Sequence, residues 1–156
     1  MLCRLSLKPF VWRWDDFTTG SDANFDEVAP GIYVGNHHAA KLSCWQGVVC
    51  CAPRWQKRIR TPMHVFDIEW LPWNSCGISQ VRAMLQFVRQ YKDGKVLFHC
   101  KAGRHRAAST AAMVLVCIGG FTAEASIDRV VTARSRYNAE ISGNLKDSVL
   151  WAESRC

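Results

Sequence analysis

A cysteine and an arginine separated by five residues carry the most chemistry in this chain, within Val96-Leu97-Phe98-His99-Cys100-Lys101-Ala102-Gly103-Arg104-His105-Arg106. The apolar run before Cys100 reads as a strand that delivers the thiol to a short loop. Ala107-Ala108-Ser109-Thr110-Ala111-Ala112-Met113-Val114-Leu115-Val116 then reads as a buried helix. A thiol, a run of backbone N–H groups, a helix N-terminus and a guanidinium thus meet in one small concavity. Those parts can hold a tetrahedral dianion and present sulfur to its phosphorus.

Each part has a physical reason. The thiolate, rather than the thiol, is the nucleophile, and a helix N-terminus beside cations favours the ionised form. Consecutive loop N–H groups form an anion nest, and helix N-termini bind phosphate for the same reason. Gly103 suits a point where the chain takes positive φ or approaches a ligand closely. Arg106 offers a planar fork for two phosphate oxygens, which a lysine does not reproduce. Lys101, Arg104 and His105 complete a loop without acidic residues. Phosphoryl transfer needs mainly an in-line nucleophile and charge stabilisation.

Spacing by itself decides little, because Cys76-Gly77-Ile78-Ser79-Gln80-Val81-Arg82 repeats it. No apolar strand precedes Cys76, and Arg82 falls inside an amphipathic helix. The strand–loop–helix context separates the two. The competing reading of Cys100 is a buried structural thiol.

The elements that position this loop follow from periodicity. Strands are expected at residues 32–34, 48–51, 65–70 and 96–99. Ile78, Val81, Met84, Leu85, Val88 and Tyr91 recur at helical spacing, opposed by Arg82, Gln86 and Arg89. Asp93-Gly94 ends that helix and turns into the strand before Cys100. The helix over 106–118 is apolar on nearly every side and should be central, with Gly119-Gly120 stopping it. Thr122 can cap the next helix, which buries Ile127, Val130 and Val131. A last helix is expected over 145–151. Alternating strands and helices make this a single α/β domain, a central, mostly parallel sheet of four to five strands flanked by helices. A ligand loop at the carboxyl end of a strand lies where such sheets bind ligands.

Composition sets the outer bounds. The chain has 156 residues, enough for one ordinary core, and its 49% hydrophobic content argues for a folded protein. Its apolar runs are too short to cross a bilayer. Residues 1–22 read as a solvated leader and 23–156 as the folded domain. The leader's basic, acid-free start leaves an organelle transit peptide as the alternative. Eight cysteines are scattered without paired zinc spacing. Cys50, Cys51 and Cys117 sit in apolar runs and read as small core residues, and a reducing compartment, cytoplasmic or nuclear, is expected. Cys50 or Cys51 could also serve as a resolving thiol for Cys100.

The net charge of +7 favours an acidic partner. Arg54, Lys57, Arg58 and Arg60 read as a solvated loop in preference to a nucleic-acid surface, and no stable nucleic-acid complex is expected. Trp70 and Trp73 could wall a pocket, although core packing is the default reading of any one of the seven tryptophans.

His99-Cys100-x5-Arg106 after a Val-Leu-Phe strand resembles the signature of cysteine-dependent protein tyrosine and dual-specificity phosphatases. Asn24-Phe25-Asp26-Glu27-Val28-Ala29-Pro30-Gly31-Ile32-Tyr33-Val34-Gly35 is similar to the opening strand of small dual-specificity domains. Phe121-Thr122-Ala123-Glu124-Ala125 through Arg134 looks like the helix after the catalytic one. The resemblance implies that His99 orients the loop, Cys100 forms a phosphocysteine, and Arg106 binds the transferring group. It also implies an aspartate general acid on an earlier loop. Asp67 is the first candidate and Glu69 the second, though both alternate with Phe66, Ile68 and Trp70 as solvent-facing strand residues would. The family usually has Ser or Thr directly after the arginine; here Ala107 implies slow turnover.

The resulting expectation is a phosphomonoester hydrolase without cofactor or metal, acting on phosphotyrosine, phosphoserine or phosphothreonine in proteins. Lys101, Ala102, Gly103, Arg104, His105 and Arg106 would bind the substrate. One alternative is a phosphoinositide or inositol (pyro)phosphate phosphatase, because the loop resembles those of such enzymes and its extra cations match several phosphates. The other is a phosphate-binding pseudophosphatase, and sulfur-transfer or arsenate-reductase chemistry is a more distant third.

Overall fold

Val96, Leu97, Phe98 and His99 are all buried and form the middle strand of the sheet. In the computed structural model, residues 22–53, 64–68 and 77–156 are described. Their strands are β1 (Phe25–Ala29), β2 (Ile32–Gly35), β3 (Gly47–Cys50), β4 (His64–Asp67) and β5 (Val96–His99). They lie in the order β1-β2-β5-β3-β4. β5 runs parallel to both neighbours, β2 and β3, and β3 runs parallel to β4. Only β1 is antiparallel, paired with β2 across the Pro30-Gly31 turn, where Gly31 takes φ +78°. β1 is absent from the strands expected from periodicity because Phe25-Asp-Glu-Val-Ala lacks clean alternation, although residues 24–35 resemble an opening strand.

Strands buried on both faces read as continuous apolar runs, as β3 and β5 do. One face carries Val34, Val49, Val96 and Phe98 and packs against the helices. The other carries Val48 and Leu97, covered by Ala39, Ala40 and Trp45. Trp45 keeps its indole N–H satisfied by donating to the Ala39 carbonyl at 2.8 Å.

The described helices are α1 (Ile78–Gln90), α2 (Arg106–Cys117), α3 (Ala123–Ala133) and α4 (Gly143–Arg155). α1 buries Val81, Met84, Leu85 and Val88 as its periodicity requires, while Ile78 in its first turn is exposed. Every residue of α2 from Ala107 to Val116 is buried, so this helix is central. Gly120 takes φ +70° beyond its end, and the Phe121 N–H closes on the Leu115 carbonyl. Thr122 caps α3, its hydroxyl oxygen accepting from Ala125 N–H at 3.2 Å. α4 extends beyond the expected 145–151 at both ends.

One expectation is corrected. Cys117 is joined to Cys156 by a disulfide, with Cα atoms 5.1 Å apart, instead of serving as a small core residue. Cys44 is disulfide-bonded too. Sequence spacing gave no hint of the first pair, because the packing of α4 against α2 brings residues 39 apart together. Residues 1–21, the basic cluster Arg54–Arg60, Glu69, Trp70, Trp73 and Cys76 lie outside the described residues. No helix among the described residues is long and apolar enough to cross a membrane.

Candidate active site

Because β5 ends at His99, Cys100 is the first residue of the loop and sits 4% exposed at the carboxyl edge of the sheet. The loop bends through Lys101 to His105, and α2 begins at Arg106. No side chain caps α2 and its own first turn contains no acid, so within the helix its N-terminal field is left unopposed.

Loop carbonyls decide where the loop N–H groups point. The Lys101 carbonyl accepts from the His37 N–H at 3.2 Å and from His37 Nδ1–H at 2.8 Å. Those of Ala102 and Gly103 each accept from the Arg134 guanidinium at 3.3 Å. The Arg104 carbonyl accepts from the Glu140 N–H at 3.0 Å. Four successive carbonyls are therefore held from outside the loop. The N–H of Gly103, by contrast, points inward and donates to Cys100 Sγ at 3.3 Å. Gly103 takes φ +68°, and a Cβ there would overlap the Gly35 carbonyl, so no other residue fits.

His99 is fully buried, and strand alternation places it on the face opposite Phe98, with its ring Nδ1 3.3 Å from the Cys100 carbonyl oxygen. Burial pushes its imidazole down to about 4, so the ring is neutral at physiological pH and Nδ1–H donates to that oxygen. Arg106 is half-buried as the first residue of α2. Lys101 and Arg104 are half-buried and His105 exposed, so three basic residues line this loop before Arg106. Arg104 reaches outward, donating through Nε to the Asn138 carbonyl at 3.2 Å. Burial, then the Arg104 and Arg106 charges, holds His105 below its ordinary value against the pull of Glu140.

Asp67 ends β4 in an exposed position, and the register places it beside Cys50 and, one strand further, His99. Burial pushes the Cys50 thiol up to about 12, and the adjacent Asp67 carboxylate adds to the effect. Cys51 lies one step on, its N–H donating to the His99 carbonyl at 2.7 Å, and shares the core with Cys100. Burial holds the Cys51 thiol well up as well. Ala107 is fully buried directly after Arg106 and offers no hydroxyl. The nearby Thr110 hydroxyl is already engaged, donating to the Arg106 carbonyl at 2.8 Å and accepting from Cys51 Sγ at 3.3 Å.

Sequence reasoning missed the outer ring of this site. His37 and Glu140 are remote in the chain and carry no motif, while Asn24 and Asp26 lie in the segment resembling an opening strand, which gave them no role at the loop. Arg134 did leave a signal: it follows Ile127 and Val130 on the buried stripe of α3, where a charge demands a partner.

Solved structures share this architecture. Human DUSP28 superimposes with a TM-score of 0.74 at 18% identity, covering 84% of this chain and 93% of that one. The chain has the dual-specificity phosphatase fold. A structure of PTPMT1 in complex with PI(5)P gives a TM-score of 0.67 at 16% identity, covering 84% and 95%. The human tyrosine phosphatase-like serine/threonine/tyrosine-interacting protein gives 0.70 at 15%, covering 84% and 96%. No protein-family model matches the sequence, and no curated protein matches it. The phosphatase fold therefore rests on architecture, at identities where sequence carries little signal.

Proposed function

We propose that this protein is a cysteine-dependent phosphomonoester hydrolase acting on phosphotyrosine, phosphoserine or phosphothreonine in proteins. The observation that carries the reading is the ring of outward-held carbonyls around Cys100, with Gly103 N–H aimed at the sulfur. Such a loop is arranged to attract a tetrahedral anion, and the α2 N-terminus adds to the attraction.

The thiolate of Cys100 attacks phosphorus in line, forming an S–P bond as the P–O bond to the leaving group breaks. Arg106 and the loop N–H groups of Lys101, Ala102, Gly103, Arg104 and His105 take up the charge of the equatorial oxygens. Asp67 gives its proton to the departing oxygen, with Glu69 as the second candidate. Water then attacks the phosphocysteine, losing its proton to that carboxylate, and the P–S bond breaks to release phosphate and the thiolate. His99 orients the loop by holding the Cys100 carbonyl. Without a hydroxyl at Ala107, the departing thiolate loses one hydrogen-bond donor, so this second step is slow.

Hydrolysis of p-nitrophenyl phosphate tests the reading, because its good leaving group needs no acid. Activity lost in Cys100→Ser and Arg106→Ala supports it, and activity retained in Cys100→Ser rejects it. Asp67→Asn and Glu69→Gln should separate on phenyl phosphate, where loss of the acid costs roughly 10²–10⁴-fold. Phosphopeptides should be better substrates than phosphoinositides or inositol polyphosphates. The reverse order would favour the alternative that the loop cations and the PTPMT1 complex with PI(5)P suggest.

A further inference from the structure

Arg134 is a fully buried guanidinium at the end of α3. Taking such a charge out of water is costly unless its hydrogen bonds are met. An ion pair with Asp26 would account for one edge, Nη1 donating to Oδ2 at 2.9 Å. Its other donors reach further. Nη2 donates to Asn24 Oδ1 at 2.8 Å and to the Ala102 carbonyl at 3.3 Å, while Nε donates to the Gly103 carbonyl at 3.3 Å. The ring of Tyr137 lies 4.4 Å from the guanidinium carbon. Asn24 is fixed in turn by the buried Asn36, which exchanges backbone and side-chain hydrogen bonds with it at 3.1 Å.

The consequence concerns peptide orientation. A loop peptide whose carbonyl loses its outer donor can rotate, exchanging an inward N–H for an inward oxygen. Each such flip replaces an attractive dipole by a repulsive one at the anion. Asn24 and Asp26 hold the guanidinium from one side, and the loop takes its remaining donors on the other.

We propose that Arg134, clamped by Asn24 and Asp26, is the positioning residue that keeps the Ala102 and Gly103 carbonyls turned away from Cys100. The residues around the start of β1 thereby set the oxyanion affinity of the loop. This rests on the phosphatase reading. Burial lowers the proton affinity of Arg134, and the Asp26 carboxylate and the neighbouring Cys100 sulfur act against that.

Tungstate binding, measured by calorimetry without any turnover, is the decisive readout, paired with KM and kcat for p-nitrophenyl phosphate. Arg134→Lys keeps a charge for Asp26 but cannot fork to two carbonyls. It should weaken tungstate at least tenfold and raise KM in a protein that still unfolds cooperatively. Asn24→Ala, which leaves the Arg134–Asp26 pair intact, should weaken tungstate by a smaller factor. A purely structural role would lower the melting temperature of both variants while leaving tungstate affinity and KM unchanged, and that result overturns the proposal. Should Arg134→Lys fail to fold, unchanged tungstate affinity in Asn24→Ala overturns it equally. A wild-type protein that binds tungstate but hydrolyses nothing rejects the phosphatase reading while the variants still decide the role of Arg134. One that binds no tungstate rejects both.

Discussion

Gly103 lies with its Cα against the carbonyl of Gly35, so the end of β2 and the middle of the Cys100 loop share a contact with no room for a side chain. The same missing Cβ would stand 2.7 Å from Arg134 Nη2. Gly103→Ala should therefore cost about 1–3 kcal/mol from its positive φ alone, with more from the overlap. Displacing the loop by about 1 Å should reduce kcat/KM roughly a hundredfold. Urea denaturation and steady-state assays of the variant check both. Near-normal activity would mean that the loop is not pinned against β2.

In the proposed reaction, Ala107 should slow the second step. A serine there would place a hydroxyl one residue after Arg106, beside the departing thiolate. A hydrogen bond to a charged group contributes about 1.5–3 kcal/mol, so Ala107→Ser should raise kcat roughly tenfold or more if phosphocysteine hydrolysis limits turnover. Rapid mixing should show a nitrophenol burst in the wild type that shrinks in the variant. A wild type without a burst and a variant without gain would place the slow step elsewhere.

His99 ties stability to pH. Its imidazole falls from an ordinary 6.5 to about 4 through burial, so below pH 6.5 the unfolded chain takes up a proton that the folded one refuses. Stability is unaffected by this group above pH 6.5 and declines as pH falls toward 4, by on the order of 3 kcal/mol over that window. His38 and His105 are lowered by burial too and act in the same direction. His99→Asn should flatten the decline between pH 6.5 and 4 in urea titrations. An unchanged slope would assign the pH sensitivity to other groups.

The Cys117–Cys156 bond closes a long loop and ties the end of α2 to that of α4. Its removal by Cys156→Ser should cost about 2–4 kcal/mol of stability by restoring freedom to the unfolded chain. Cys117 stands roughly 16 Å along α2 from Arg106, so kcat at 25 °C should be nearly unchanged. A variant equally stable under oxidising conditions would show that the bond does not form in solution.

Much of the architecture was legible because burial writes its period into the chain. Val96-Leu97-Phe98 before Cys100 and the apolar run after Arg106 specify a strand, a loop and a helix in that order. α1 showed its face through Val81, Met84, Leu85 and Val88, and Thr122 announced the start of α3. Periodicity did not mark β1, because Asp26 and Glu27 interrupt its apolar residues, Asp26 pairing with Arg134 and Arg136; only the resemblance of residues 24–35 to an opening strand pointed to it.

Local order along the chain was enough to bring Cys100, Gly103 and Arg106 into one turn of backbone, since their spacing and the elements on either side leave little choice. It could not reveal which distant groups hold that turn. His37, Arg134 and Glu140 reach the loop only after β2, α3 and the segment before α4 have packed around it. Likewise, Cys117 meets Cys156 only because two helices pack together. A hydrogen bond to a carbonyl asks for a donor at the right place, not for a particular neighbour in sequence, so the tertiary structure alone could decide these partners.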